Sequence, residues 1–335
     1  MSKILITLDY ELFFGANPGT LNKSIIEPTN RLLEIFDKYN VKASFFVDSG
    51  YLIKLKKYKK QYSFLEEEYH QISNQLHQLS AEGHDIQLHI HPHWEDSYFD
   101  GNSWNMITNR YRLHDFSEKE INKIVYEYKK VLEEFTNNQV FSYRAGGWCI
   151  QPFNKLENSL MENNIWLDST VFQNGKNKSD THYFNFISTP QKNYWRFKDD
   201  PLEEDKKGYF LEIPISSMKV SPLFFWKLAF TKKLGKKMHD NFGDGSSTSN
   251  SKRDLIRMLL FPSNIPVSID GYKSKLINKA LRKNKKKFGV NGTFVMIGHP
   301  KVQTQYSINQ LEIFLKKNNN EEFFTYSQIA KQVNI

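Results

Sequence analysis

The 335-residue chain contains one cysteine, Cys149. No intramolecular disulfide can form, so the fold must rest on a packed core, and the usage fits a reducing compartment. Long apolar runs are also missing. No window reaches the roughly 18 uninterrupted apolar residues of a spanning helix. The N-terminus, MSKILITLDYELFFG, carries one lysine and a short apolar run broken by Asp9 and Glu11. It lacks the apolar centre and small-residue cleavage site of a secretory signal, so a soluble, cytoplasmic protein is expected. Zinc-finger spacing, a Walker loop, a glycine-rich dinucleotide turn and internal repeats are all absent. Acidic charge is in deficit, with 46 Lys+Arg against 37 Asp+Glu and a net charge of +9. Such a balance can signal nucleic acid, an anionic membrane surface or phosphorylated substrates. Here the lysines are spread along the chain, so composition accounts for the charge and no nucleic-acid partner is expected.

What is present is ample core material: 39% apolar and 15% aromatic residues, enough for one large α/β barrel or two ordinary domains. Seven short apolar or β-branched runs recur: KILITLDY, VKASFFV, HDIQLHIH, QVFSYRAGG, WLDSTVF, YFLEIPI and GTFVMIGHP. Several are nearly continuous in apolar residues, as strands buried on both faces are. Between them lie helix-like segments. PTNRLLEIFDKYN has apolar residues at helical spacing, and so does FSEKEINKIVYEYKKVLEEF, where Ser117 and Glu120 form a candidate capping box. Alternating strands and helices predict a parallel sheet, open or closed into a barrel.

Polar residues fall late in these runs. Asp9 and Glu11 follow ILIT, His89 to His93 follow DIQL, Arg144 follows VFSY, Asp168 follows IW, and His299 follows VMIG. Carboxyl ends of parallel strands are where barrels and open α/β sheets build their sites. The stretch LHIHPHW concentrates three of the ten histidines. As a strand it would place His89, His91 and His93 on one face; as a helix or tight turn it would pair His89 with His93. Either geometry suits a metal, because neutral imidazole is a common ligand.

The ordered set LDYE, HIHPH, YRAGGW, LDST and IGHP resembles the polysaccharide deacetylase family, the NodB-like carbohydrate esterases. These motifs span residues 3 to 300 or so in the family's order, with KASFF and EGHDIQLH similar to its second strand and the lead-in to its histidine motif. The aromatic opening LDYELFFG looks closest to members linked to surface-polysaccharide assembly. The resemblance implies an irregular (β/α) barrel of the NodB type, with about seven parallel strands, as a single domain over residues 1–335. It implies a hydrolase that removes an N-acetyl group from a sugar in surface-polysaccharide, such as lipopolysaccharide, biosynthesis. By the same resemblance Asp9 is the base, and Glu11, His89 and His93 hold one divalent metal. Zn²⁺ is the first expectation, with Co²⁺ or Fe²⁺ open. The family's usual pair of adjacent acids is here split by Tyr10, which leaves the division of labour between Asp9 and Glu11 open. His91 would lie behind the metal or face the substrate. Arg144 would hold the base ionised, His299 would be the general acid, Asp168 would orient it, and Trp148 would wall the pocket.

The region from about 216 to 287 breaks the strand–helix rhythm and reads as an insertion or lid, with a mobile polar centre in GDGSSTSNSKR. Within it, residues 223–237 read as a basic amphipathic helix, with Leu223, Phe224, Trp226 and Phe230 near Lys232, Lys233, Lys236 and Lys237. Such a helix binds an anionic membrane surface, or it packs its aromatics on the barrel as a lid. A nucleotide- or lipid-linked acetylated sugar would suit either the basic charge or a membrane contact. Two rival functions stand beside the deacetylase: a metal-free hydrolase of a small cyclic amide on the same fold, and a catalytically inactive carbohydrate-binding protein.

Overall fold

The computed structural model describes residues 1–179, 181–234, 237–246 and 252–332. Each of the seven apolar runs contributes a parallel strand. These are β1 (Lys3–Tyr10), β2 (Ser44–Asp48), β3 (Asp85–Ile90), β4 (Ser142–Ala145), β5 (Leu167–Asp168), β6 (Phe210–Glu212) and β7 (Thr293–Gly298). They pair in the order β6-β5-β4-β3-β2-β1-β7, so neighbours in sequence are neighbours in space and the last strand lies beside the first. An antiparallel strand, Trp195–Phe197, flanks β6.

Between β6 and β7 the ring is completed by irregular chain. Ile215 N–H donates to the Val171 carbonyl (2.9 Å), Ser216 N–H to Val295 (3.0 Å), Val267 N–H to Ser216 (2.7 Å), and Ile297 N–H to Val267 (3.0 Å). The result is a curled, irregular (β/α) barrel of the NodB type. Its strands are buried on both faces, which is why they read as nearly continuous apolar runs.

Helices cover the outside. α1 (Glu27–Lys38) buries Leu32 and Phe36, one turn apart. α2 (Ser49–Tyr58) and α3 (Ser63–Ala81) follow β2. α4 (Glu118–Glu133) begins at the Ser117–Glu120 capping box, in which each residue's side chain accepts the other's backbone N–H, and buries Ile121, Val125, Tyr128 and Leu132 along one stripe. α5 (Glu157–Glu162) precedes β5.

After β6 the chain makes an excursion. Strands Ser217–Val220 and Ser263–Pro266 pair antiparallel, so the chain leaves and returns at one place. Between them lie α6 (Pro222–Lys233) and α7 (Lys252–Leu260). From Val267 the chain rejoins the barrel and continues into α8 (Ile277–Phe288), so the last third of the 216–287 region is barrel wall. α6 is not the amphipathic helix read from the sequence. Phe224 and Phe225 are buried, while Leu223, Trp226 and Phe230 on the other side are exposed; apolar residues therefore occupy both faces. Lys236 and the Lys232 side chain lie outside the described residues, as does the centre of the polar stretch, 247–251. No described helix is long and apolar enough to cross a membrane.

Candidate active site

The two-residue period of a strand sets the first contact. Asp9 and Glu11, at the end of β1, point to the same side, and Tyr10 points to the other, where its hydroxyl donates to Gln75 Oε1 of α3 at 2.8 Å. The two carboxylates line a cavity of about 440 Å³ at the carboxyl ends of the strands, together with His89, His91, Arg144, Trp148 and His299.

Asp9 is gripped from one side. Arg144 Nη1 donates to Asp9 Oδ1 at 2.6 Å, while its Nε donates to the Ser169 carbonyl at 2.8 Å and its Nη2 to Ser169 Oγ at 3.2 Å. The guanidinium also lies 4.0 Å over the Phe46 ring. Asp9 Oδ2 is left facing His299 Nε2 at 3.5 Å. Burial would raise the Asp9 pKa, but Arg144, then His89 and His299, override it and hold the carboxyl well below its ordinary range.

Glu11 is more crowded. Its Oε2 lies 3.0 Å from His89 Nε2 and 2.7 Å from His91 Nε2, and its Oε1 accepts from Lys301 Nζ at 2.8 Å. Burial pushes its pKa up, but Lys301, then His91 and His89, bring it well below the usual carboxylate range. His89 Nδ1 donates to the Arg144 carbonyl at 2.8 Å, which aims Nε2 at Glu11.

The oxygen of Glu11 and the two Nε2 atoms lie within 4.8 Å of one another. A carboxylate and two imidazoles suit a divalent metal. The backbone carbonyl behind His89 is the kind of second contact that orients a ligating ring. His91 has no such second contact, its Nδ1 being buried without a hydrogen-bond partner. The donor set therefore fits a metal.

His299 follows β7. Its Nδ1 lies 2.8 Å from Asp270 Oδ2, and its backbone N–H donates to Asp270 Oδ1 at 2.8 Å. Burial would lower the imidazole pKa, but Asp270 and then Asp9 raise it to about 10.

The structure thus brings Asp9, Glu11, His89, Arg144 and His299 to one cavity. Two expectations are corrected. Asp168 does not orient His299: its carboxylate accepts from Thr170 N–H (2.9 Å) and Thr170 Oγ1 (2.7 Å) and pairs with Glu212. It sits on β5, whereas the carboxylate beside His299 must come from the chain adjoining β7. That chain is 267–270, with Ile269 N–H bonded to the Ile297 carbonyl at 2.9 Å.

His93 is not grouped with Glu11 and His89; His91 is. Alternation along the strand end carries His89 and His91 to the same face, and Pro92 then opens a 3-10 turn, Pro92–Glu95, that takes His93 off it. The His93 ring stacks on Tyr111 and Trp94 and meets Phe14 edge-on, with both ring nitrogens buried and unpartnered. Burial holds His91 down to about 4 and His93 well below its ordinary value, so both rings are neutral.

Three residues escaped the sequence reading: His91 as the partner of Glu11, Asp270 and Lys301. Asp270 ends the apolar run IPVSID, so the same strand-end signal that marked the others was there. It lay inside the region read as an insertion. Lys301, two residues past His299, had no distinguishing signal among the chain's many lysines. The glycine pair of YRAGGW has a steric reason. A Cβ on Gly146 would sit 2.6 Å from His91 Nδ1, and one on Gly147, at φ +60°, would sit 2.6 Å from the His182 ring. Trp148 lines the cavity and packs on Phe172 and Phe184.

Residues 17–151 match the family model described as polysaccharide deacetylase. Asp9, Glu11 and His299 lie outside that stretch and are brought to it by the fold. This stretch, less than half of the chain, is similar to the polysaccharide deacetylases. No curated protein matches the chain. Among solved structures, a 4-α-glucanotransferase from Thermococcus litoralis is similar over 99% of this chain and 40% of its own, with 12% identity and a TM-score of 0.51. This is a likeness of fold. A protein from Mycobacterium smegmatis described as a polysaccharide deacetylase covers 99% of this chain and 90% of its own, with 17% identity and a TM-score of 0.49. The CE4 domain of a multidomain xylanase from the hindgut metagenome of Trinervitermes trinervoides covers 99% and 91%, with 11% identity and a TM-score of 0.41.

Proposed function

We propose that this protein hydrolyses the N-acetyl group of a sugar unit during cytoplasmic synthesis of a surface polysaccharide such as a lipopolysaccharide. The observation that carries this reading is the facing pair of Asp9 Oδ2 and His299 Nε2, 3.5 Å apart at the cavity floor. One is a carboxylate held ionised and the other an imidazole held protonated. Amide hydrolysis needs such a pair: a base to take a proton from the attacking water, and an acid to give one to the leaving amine. Asp9 takes the first role and His299 the second. Arg144 leaves only Oδ2 of Asp9 free for it, and Asp270 keeps the His299 proton available on Nε2.

Glu11, His89 and His91 are the residues that would hold the divalent metal, with Zn²⁺ the first candidate and Co²⁺ or Fe²⁺ suited to the same donors. When bound, the metal polarises the acetyl carbonyl and acidifies a water.

Incubation with N-acetylated saccharides, free and nucleotide-linked, followed by assay of released acetate, tests the reading. Acetate release that Asp9→Asn and His299→Ala each lower by about 10²–10⁴-fold supports it. Sugar binding without turnover, unchanged in Asp9→Asn, would instead mark a carbohydrate-binding protein. Turnover of a small cyclic amide without metal would mark the third reading.

A lipid-linked substrate gives the excursion a role. Leu223, Trp226 and Phe230 stand exposed on α6 with exposed Lys227 and Lys233, while Leu228 of the same helix lines the cavity. Apolar side chains beside lysines suit an anionic bilayer surface. Flotation with anionic liposomes at low salt checks this; protein that stays at the bottom of the gradient removes the membrane contact.

A further inference from the structure

We propose that Lys301 is a resident cation that competes with a divalent metal for the charge of Glu11, its ammonium on Oε1 opposing a dication at the Oε2 that His89 and His91 face. The inference rests on the metal reading of Glu11, His89 and His91 above.

Lys301 is 7% exposed, an unusual place for an ammonium without a fixed partner. Its Nζ donates to Glu11 Oε1 at 2.8 Å and to the Leu12 carbonyl at 2.5 Å. It also lies 4.5 Å from the centre of the Phe14 ring and 5.1 Å from that of Phe13, distances at which a ring face attracts a cation. The short turn Pro300–Val302 follows His299 directly, and Lys301 lines the same cavity as His299.

The charges balance without a metal. Asp9 has Arg144, Asp270 has His299, and Glu11 has Lys301. A dication arriving at Glu11 therefore meets a carboxylate already neutralised, and a positive charge held beside it in a buried, weakly screening setting. The Leu12 carbonyl and the two phenyl rings also hold the ammonium, so its charge stays beside Glu11 when a dication arrives at Oε2.

Co²⁺ binding by the full-length protein tests this without any turnover, read by calorimetry and by the visible absorption of the bound ion. Lys301→Met keeps the length of the side chain and removes the charge. It is expected to bind Co²⁺ about tenfold or more tighter than wild type, because one buried like charge has been removed. Lys301→Gln removes the charge while keeping a donor for Leu12, and stands in if the methionine variant does not fold. Affinity in these variants equal to or weaker than wild type overturns the proposal. A cobalt spectrum from none of the proteins overturns the proposal and the metal reading together. Absence of acetate release alongside a tenfold affinity gap supports the proposal and overturns only the deacetylase reading.

Discussion

Glu11 is the residue on which the charges of the cavity converge. Two imidazoles share one of its oxygens and an ammonium takes the other. The family resemblance assigns the second imidazole to His93, while the geometry assigns it to His91. His91→Ala should therefore lower metal affinity by ~100-fold or more, beyond the range seen for supporting residues. His93→Phe, which fills the same aromatic slot without a nitrogen, should change it less than about threefold and leave the protein folded. Calorimetric titration of both variants separates the two assignments. The same logic applies to the general acid. His299 carries its proton up to about pH 10 because Asp270 lies against it. Removing that carboxylate lowers the imidazole pKa, so the protonated form is lost at lower pH. In Asp270→Asn the alkaline limb of the acetate-release profile should move down by more than about one pH unit, while Asp168→Asn should leave that limb in place.

At the scale of elements, strand ends and helix starts do different work. The strand ends carry chemistry, because the period of two turns alternate residues of β1 and β3 toward the cavity. Both the strands and the Ser117 start of α4 were legible, since they depend on residues within a few positions of one another. Ser117→Ala should cost about 1 kcal/mol of stability in a urea titration, with activity unchanged, because it removes the acceptor for the Glu120 N–H and the hydroxyl that donates to Glu120 Oε2. The turn after β4 is less forgiving. Gly146→Ala places a methyl 2.6 Å from His91 Nδ1 and 2.7 Å from the Ile90 carbonyl. The variant should lose metal affinity along with His91→Ala, and calorimetry with Co²⁺ reads it.

For the whole molecule, the buried ionisable groups make stability depend on pH in one direction above neutrality. His299 is held at about 10 and His89 is also raised. Burial brings Asp48 to about 7, Glu212 well above its usual range, and Cys149 to about 11. Each keeps a proton in the folded state over a range where the unfolded chain has released it: up to about 7 for Asp48, up to about 10 for His299 and up to about 11 for Cys149. The unfolded state thus binds fewer protons as pH rises through this window, and stability falls. The urea midpoint should drop between about pH 7 and pH 10, where the unfolded chain has released the His299 proton that the folded state keeps. A flat or rising midpoint would contradict the ion pairs described here.

Much of this was written in the sequence. The seven apolar runs became seven of the sheet's parallel strands, and Asp9, Glu11, His89, Arg144 and His299 came together because strand ends of a barrel share one rim. Periodicity is a local property, so local composition was enough for that. Which partner each of these residues meets was decided only by the tertiary structure. Asp270 replaced Asp168 beside His299 because 267–270, not β5, adjoins β7. Lys301 reached Glu11 across 290 positions of chain. A pairing of that length leaves no periodic trace, because it is fixed by how strands close into a ring and by the free energy of leaving no buried charge alone.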